Sequence, residues 1–269
     1  MSEFFEWRDA PRADFAVIGD PVEHSLSPLM HSAAYSALGL PYRYVAIRVP
    51  QGEVAESLDH LISLGYRGLN VTLPLKAEAF RWAIQPDAFT KKIGAANTLE
   101  LATRRATNTD GQGFMDSIQG VDLPVPSRVL VLGAGGTARS VLPKLVDAGH
   151  KVSIWNRTRE RAQSLIDELS LHAKVVDAPA TMGYRLLVNA TSAEAKGEEL
   201  DIAWSEGAGC TAYDAMYGDG PTPFLQQAVK HGWAAIDGKA LLVAQGARSF
   251  TWWLGQEAPM QAMAEAVGA

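Results

Sequence analysis

At 269 residues the chain is long enough for one large or two ordinary domains, and two is the expected number. Hydrophobic residues make up 47% and charged residues 20%, an ordinary globular balance that allows a sizeable core. The net charge of −6 argues against a nucleic-acid partner and leaves any anionic substrate to be attracted by local groups.

The opening segment, residues 1–14, carries acids and no apolar h-region, so it does not read as a signal peptide. No apolar run anywhere approaches the length of a membrane span. Asp14 to Gly19 is a short apolar strand that runs into the sequence DPVEHSLSP. A helix is expected next, with Ser27 at its N-cap, Pro28 first inside it, and Gly39 at its end. Leu29, Met30, Ala33, Ala34, Ala37 and Leu38 form its expected buried stripe. Capping accounts for Ser27 but not for Ser25. Two hydroxyls ahead of a helix N-terminus can bind a carboxylate in the positive end of the helix dipole.

Tyr42 to Val49 reads as the next strand, and Val54, Leu58, Leu61 and Ile62 mark a helix closing at Gly65. The stretch GLNVTLPLK from Gly68 to Lys76 is a strand ending at Pro74, which is expected to open another helix with Lys76 in its first turn. A lysine there faces the unfavourable end of the dipole, so it is either a solvated side chain or one held for chemistry. Ile93 to Leu99 reads as a turn and a strand, and Thr107 to Gly111 precedes a helix containing Phe114, Met115 and Ile118. Polar residues at strand ends are where an open α/β sheet presents its ligand crevice. Asn70, Thr72, Asn97 and Asp110 fit that placement, and each alone also fits a turn or cap.

Residues 120–126, GVDLPVP, form the expected linker into Arg128 to Leu132, a continuous apolar run suited to a buried parallel strand. It ends in Gly133-Ala134-Gly135-Gly136-Thr137-Ala138, a G-x-G-x-x-A loop. Gly133 permits the tight turn, Gly135 the approach of backbone N–H groups to a pyrophosphate, and Ala138 close helix packing. Val141, Leu142, Leu145 and Val146 continue the helix, Gly149 ends it, and Lys151 to Trp155 is a second strand. After that strand a site for NAD places an acid on the ribose 2′-hydroxyl, whereas this chain has Asn156-Arg157-Thr158 followed by Arg161. Two guanidinium groups and a hydroxyl suit a 2′-phosphate, the alternative being a solvated helix start.

Further strands are expected at Lys174 to Asp177, Leu186 to Thr191, Cys210 to Met216 and Ala234 to Asp237. Val188-Asn189-Ala190-Thr191-Ser192 puts small polar residues where a cofactor should pass, and Pro221-Thr222-Pro223 opens a helix. The single Cys210 cannot form an internal disulfide, which suits a reducing cytoplasm. The six histidines lack metal-ligand spacing, so no metal is expected. Lys239 to Leu254 and Pro259 to Val267 close the chain as helices and are expected to fold back on the first domain.

Along nearly its whole length the chain resembles the shikimate dehydrogenase family, through HSLSP, GLNVTLPLK, GAANT (Gly94 to Thr98), NTDG (Asn108 to Gly111), GAGGTAR, NRTRER, NATS, YDAMYGDGPTPFL and the segment Gly238 to Gly246. The resemblance implies NADPH-dependent, reversible reduction of 3-dehydroshikimate to shikimate, a step towards the aromatic amino acids. Relatives using quinate, and a non-catalytic NADPH-binding regulatory protein on the same scaffold, are the alternatives. It also implies two α/β domains facing across a cleft: a substrate domain at residues 1–112 plus 239–269 and a Rossmann-type NADP domain at 113–238. By motif, Ser25, Ser27, Thr72 and Tyr217 would hold the substrate carboxylate, and Asn70, Asn97, Asp110 and Gln245 would meet the ring hydroxyls. Lys76 and Asp110 would do the acid–base work. The G-x-G-x-x-A loop, Asn156, Arg157, Thr158, Arg161, Thr191, Met216 and Gly238 would line NADP(H). The expected partner is a small-molecule substrate, with no membrane and with a homodimer left open.

Overall fold

The computed structural model describes residues 4–191, 193, 198–218 and 220–269, so Ser192 and Asp219, each within a motif above, lie outside the described residues. The chain divides into two compact units, Met1–Gly113 with Leu242–Ala269, and Phe114–Leu241.

The first unit begins with β1 (Phe4–Glu6) and a 3-10 turn, then runs through β2 (Phe15–Gly19), α1 (Ser27–Ala37), β3 (Tyr44–Arg48), α2 (Val54–Ser63) and β4 (Gly68–Val71). It continues with α3 (Lys76–Trp82), β5 (Gln85–Pro86), α4 (Ala88–Ile93), β6 (Thr98–Glu100), β7 (Arg105–Thr107) and the start of α5 (Asp110–Ser117). Among the described residues the strands form one seven-stranded sheet in the order β1-β3-β2-β4-β6-β7-β5. β1, β3, β2 and β4 are mutually parallel, while β6 runs antiparallel to both β4 and β7. Every residue of β2 and β4 is buried, as in strands covered on both faces. Ile18, Ile47, Leu58, Leu61, Leu69, Leu75 and Leu99 fill one core cluster. Fully burying each such side chain contributes about 1.5–3 kcal/mol.

This topology decides where the polar strand ends meet. The strand order reverses between β2 and β4, so the segments leaving both strands open into one crevice. Because β6 is antiparallel to β4 and β7 returns parallel to it, the start of β6 and the end of β7 lie at that same edge, with Asn70, Thr98 and Thr107 in register.

Several local expectations are corrected. Ser27 is the first residue of α1 rather than its N-cap; Leu26 flanks it, and the Ser27 N–H donates instead to Ser25 Oγ at 3.3 Å. The buried face of α1 is Ser27, Pro28, Met30, His31, Ala34 and Tyr35, whereas Leu29, Ala37 and Leu38 are exposed. Ile62 of α2 is exposed as well. Pro74 lies in the turn before α3, which starts at Lys76 itself. The segment before Gly94 is a helix, α4, capped by Asp87 accepting from the Thr90 N–H and ended by Gly94 at φ +63°.

His31 on α1 is fully enclosed, with its ring stacked on Tyr44 at 4.4 Å and no hydrogen-bond partner for either nitrogen among the described residues. Burial pushes its pKa from 6.5 down to about 3, with the nearby Asn70 side chain pulling the other way. The native state therefore resists a proton that the unfolded chain accepts, so this contribution to stability is complete above pH 6.5 and is lost as pH falls towards 3. Between pH 7 and pH 5 the wild type is expected to lose about 2 kcal/mol more of unfolding free energy than His31→Phe, read from urea titrations at both pH values. Equal losses would mean that another group titrates.

The second unit holds the rest of α5, then β8 (Arg128–Leu132), α6 (Gly136–Asp147), β9 (Lys151–Trp155), α7 (Arg159–Leu169), β10 (Ala173–Val175), β11 (Leu186–Asn189), β12 (Thr211–Asp214), α8 (Pro223–Lys230) and β13 (Ala234–Ile236). Its strands pair in parallel in the order β10-β9-β8-β11-β12-β13, which is the doubly wound dinucleotide-binding order with its switch point between β8 and β11. The last helices are α9 (Gly238–Leu254) and α10 (Met260–Val267); residues from Leu242 onward belong to the first unit, where α10 packs on α1. Trp253 of α9 lies over Gly68, where a Cβ would come within 2.5 Å of the indole, and its Nε1 donates to the Leu99 carbonyl at 2.9 Å.

Candidate active site

In the first unit, Lys76 opens α3 directly beyond the crevice end of β4, and Asp110 opens α5 beyond the end of β7. Lys76 Nζ donates to Asp110 Oδ2 at 2.7 Å, with side chains only 11% and 8% exposed. The carboxylate is held from two sides, and the backbone of the same residue is tied down separately. Asn97 Nδ2 donates to its other oxygen at 2.8 Å, and the Asp110 N–H donates to Asn108 Oδ1 at 3.1 Å. Asn97 is itself fixed by the Thr109 N–H, which donates to its Oδ1 at 2.8 Å. Gln245 approaches on α9, its Oε1 3.4 Å from Asn97 Nδ2 and its Nε2 donating to the Leu242 carbonyl. At Gly113 a Cβ would lie 2.7 Å from the Gln245 nitrogen, so that glycine allows α5 and α9 to approach this closely.

Asn70 joins the same network from β4. Its Oδ1 accepts from the Tyr44 hydroxyl at 2.8 Å, and its Nδ2 donates to Ser249 Oγ at 2.8 Å and reaches the Asn97 carbonyl at 3.3 Å. The structure therefore joins Lys76, Asp110, Asn97, Gln245 and Asn70 in one hydrogen-bonded cluster. Thr72 lies outside it, packed so closely against Gly19 that a Cβ there would meet its methyl at 2.4 Å. Ser25 and Ser27 sit at the start of α1, and the Ser27 hydroxyl has no protein partner among the described residues. Tyr217 belongs to the second unit. Ser249 and Tyr44 were invisible in sequence as site residues: one serine in an apolar helix and one tyrosine in a strand carry no motif.

In the second unit, Gly133 has φ +101°, and a Cβ there would lie 2.9 Å from the Ala190 carbonyl oxygen, so the ends of β8 and β11 touch at the switch point. Nothing lies within 4 Å of where a Gly135 Cβ would be, which leaves open backbone beside the N-terminus of the 12-residue α6, where Gly136 and Thr137 begin the helix and Ala138 is fully buried. Ala134 completes the loop. Asn156 Nδ2 donates to the Thr158 carbonyl at 2.8 Å, closing the turn that presents Arg157 and Arg161, both exposed. Arg157 pairs with Glu198 at 2.6 Å. Thr191 is tied back to Asn189 Oδ1 through both its N–H and its hydroxyl, and Asn189 Nδ2 donates to Asp214. Asp214 also accepts from Thr222 and from the Met216 N–H, and burial raises its pKa against those three bonds. Gly238 donates to the Met216 carbonyl at 3.0 Å with no room for a Cβ. An open glycine turn at a helix N-terminus, followed by two exposed arginines at the end of the next strand, fits a dinucleotide carrying an extra phosphate.

Among the described residues no group of three His, Cys, Asp or Glu is arranged to hold a metal, and no helix is long and apolar enough to cross a membrane.

Residues 17–99 match the family model described as the shikimate dehydrogenase substrate binding domain, and residues 122–195 match that described as shikimate / quinate 5-dehydrogenase. A shikimate dehydrogenase (NADP(+)) of Hyphomonas neptunium is 40% identical over 249 residues, covering 89% of this chain and 90% of that protein. One from Methanococcoides burtonii is 37% identical over 263 residues, covering 94% and 96%. The crystal structure of Thermus thermophilus shikimate 5-dehydrogenase in complex with NADP(H) and shikimate superposes with a TM-score of 0.86 at 35% identity, over 95% of this chain and 98% of that one.

Proposed function

This chain belongs to the shikimate dehydrogenase family, and from that premise we propose that it catalyses the reversible, NADPH-dependent reduction of 3-dehydroshikimate to shikimate. The observation that carries this reading is the buried Lys76–Asp110 pair at the sheet edge where α/β folds bind ligands. The first unit is assigned to the substrate and the second to the cofactor. When bound, NADP(H) supplies the hydride in reduction and takes it back in oxidation.

The chain's own residues do the rest. As the carbonyl carbon gains hydride, its oxygen is left with an electron pair and takes a proton from Lys76 Nζ; the resulting amine is reprotonated from solvent. Asp110 holds the ammonium in place before transfer and accepts a hydrogen bond from the neighbouring substrate hydroxyl. The Asn97 amide keeps the carboxylate from rotating. Lys76 has two further N–H groups with no protein partner among the described residues, enough to meet a substrate oxygen. Asn70 and Gln245 complete the reading of the ring hydroxyls, and Ser25, Ser27, Thr72 and Tyr217 take the carboxylate. Arg157, Arg161 and Thr158 receive the 2′-phosphate, and the glycine loop, Asn156, Thr191, Met216 and Gly238 line the rest of the cofactor. The single cysteine supports a reducing, cytoplasmic setting, and a homodimer is the assembly to test by light scattering.

Incubating the purified chain with 3-dehydroshikimate and NADPH is expected to yield shikimate, with one NADPH consumed per product. NADPH left unconsumed would contradict the proposal. Within the carboxylate site, the unpartnered hydroxyl makes Ser27 the stronger ligand. Ser27→Ala is expected to weaken shikimate binding by about 1.5–3 kcal/mol while changing unfolding free energy by no more than about 0.5 kcal/mol. Calorimetric binding paired with thermal melts checks this, and unchanged affinity would remove Ser27 from the site.

A further inference from the structure

Ser249 lies on α9 one turn beyond Gln245 and is fully buried, yet its hydroxyl meets four groups. It lies 3.1 Å from the Gln245 carbonyl, 2.8 Å from Asn70 Nδ2, 2.8 Å from Thr98 Oγ1 and 3.3 Å from Thr109 Oγ1. Its proton goes to the Gln245 carbonyl or to a threonine hydroxyl, and in either arrangement the oxygen accepts from Asn70 Nδ2.

That bond and the Asn97 carbonyl together decide which way round the Asn70 amide sits. The Asn97 carbonyl lies 3.3 Å from the same Nδ2 and also takes the Val71 N–H, so an amide oxygen turned towards it would face another acceptor. Ser249 supplies the shortest of the three bonds on that side, Thr98 Oγ1 also lying 3.3 Å from Nδ2. The amide oxygen is thereby directed to the Tyr44 hydroxyl, which occupies one of its two lone pairs. Both Nδ2 protons are consumed inside the protein, and what Asn70 retains for a ligand is a lone pair.

We propose that Ser249 is a positioning residue for substrate recognition, locking the Asn70 amide with its nitrogen turned into the protein so that Asn70 receives a substrate hydroxyl as an acceptor. The inference rests on the assignment of Asn70 to the substrate site made above. It also gives α9 a double part, since Gln245 reaches the cluster directly and Ser249 acts one turn further on through Asn70.

The test is a substitution cycle with Ser249→Ala, Asn70→Ala and the double variant, assayed for shikimate oxidation with NADP. Ser249→Ala is expected to raise KM for shikimate about ten-fold while kcat and KM for NADP change less than about three-fold. In the Asn70→Ala background the same change should add less than about two-fold, because the hydroxyl acts through the amide. Ser249→Cys, close in volume but a poor acceptor, repeats the comparison should the alanine protein not fold. An unchanged KM in Ser249→Ala, or losses that simply multiply in the double variant, overturn the positioning role alone. A wild-type protein that does not oxidise shikimate overturns the functional reading and this inference with it.

Discussion

Lys76→Met is expected to cut kcat for shikimate oxidation by about 10²–10⁴-fold, the usual contribution of a positioned acid–base group. Methionine keeps the length and most of the volume of the side chain, so the loss reports the missing proton carrier rather than a cavity. Direct binding must accompany the kinetics, since KM equals Kd only when chemistry is slow relative to release. Shikimate affinity should remain near normal, and a variant that keeps kcat but loses affinity would make Lys76 a clamp alone. The buried pair adds a second readout. Removing only the lysine leaves Asp110 enclosed without its counter-ion, at a cost of about 3–5 kcal/mol for a buried pair. Lys76→Met/Asp110→Asn should therefore be more stable than Lys76→Met, and its kcat should be much less impaired than the product of the single losses. Chemical denaturation and steady-state rates on the three proteins separate the structural part of the pair from the catalytic part.

Replacing Arg157 and Arg161 with glutamine is expected to remove most of the preference for NADP over NAD. Each charge-assisted contact to a phosphate contributes about 1.5–3 kcal/mol, so each arginine should account for at least roughly a ten-fold loss of NADP affinity while NAD binding changes little. The Arg157–Glu198 pair does not oppose this, because both side chains are solvent-accessible and exposed ion pairs contribute only about 0–1 kcal/mol. Arg159 serves as an internal control: it lies in the same helical turn but is not among the residues assigned to the phosphate, and Arg159→Gln should leave the cofactor ratio unchanged. Equal losses of NADP and NAD affinity in the Arg157/Arg161 protein would assign those side chains to the fold instead.

The β8–α6–β9 segment was legible because its signals are local: a strand buried on both faces, glycines at fixed spacing and a helical apolar stripe agree within thirty residues. Lys76 was legible through its awkward place in a first helical turn. The meeting of Asn97 and Asp110 was not derivable from periodicity, since it depends on β6 reversing direction beside β4, a pairing that no run of residues encodes. The exposed Leu29 and Leu38 show the same limit. Which face α1 buries is set by the sheet and by α10 packing on it, and α10 comes from the far end of the chain. α4 was legible but missed: Asp87 three residues before Thr90, two lysines in the last turn and Gly94 at the end form a complete set of helix boundaries around only six residues. Ser249 and His31 lay beyond sequence reasoning because a buried hydroxyl and a buried imidazole acquire their roles only from tertiary neighbours.

The most direct measurement is the initial rate of nicotinamide reduction by the purified wild-type chain with shikimate or quinate, each paired with NADP or NAD. The highest kcat/KM is expected for shikimate with NADP, with a marked loss on changing the cofactor to NAD and slower turnover of quinate. Turnover that is absent with shikimate, or that proceeds equally well with NAD, would contradict the proposed function.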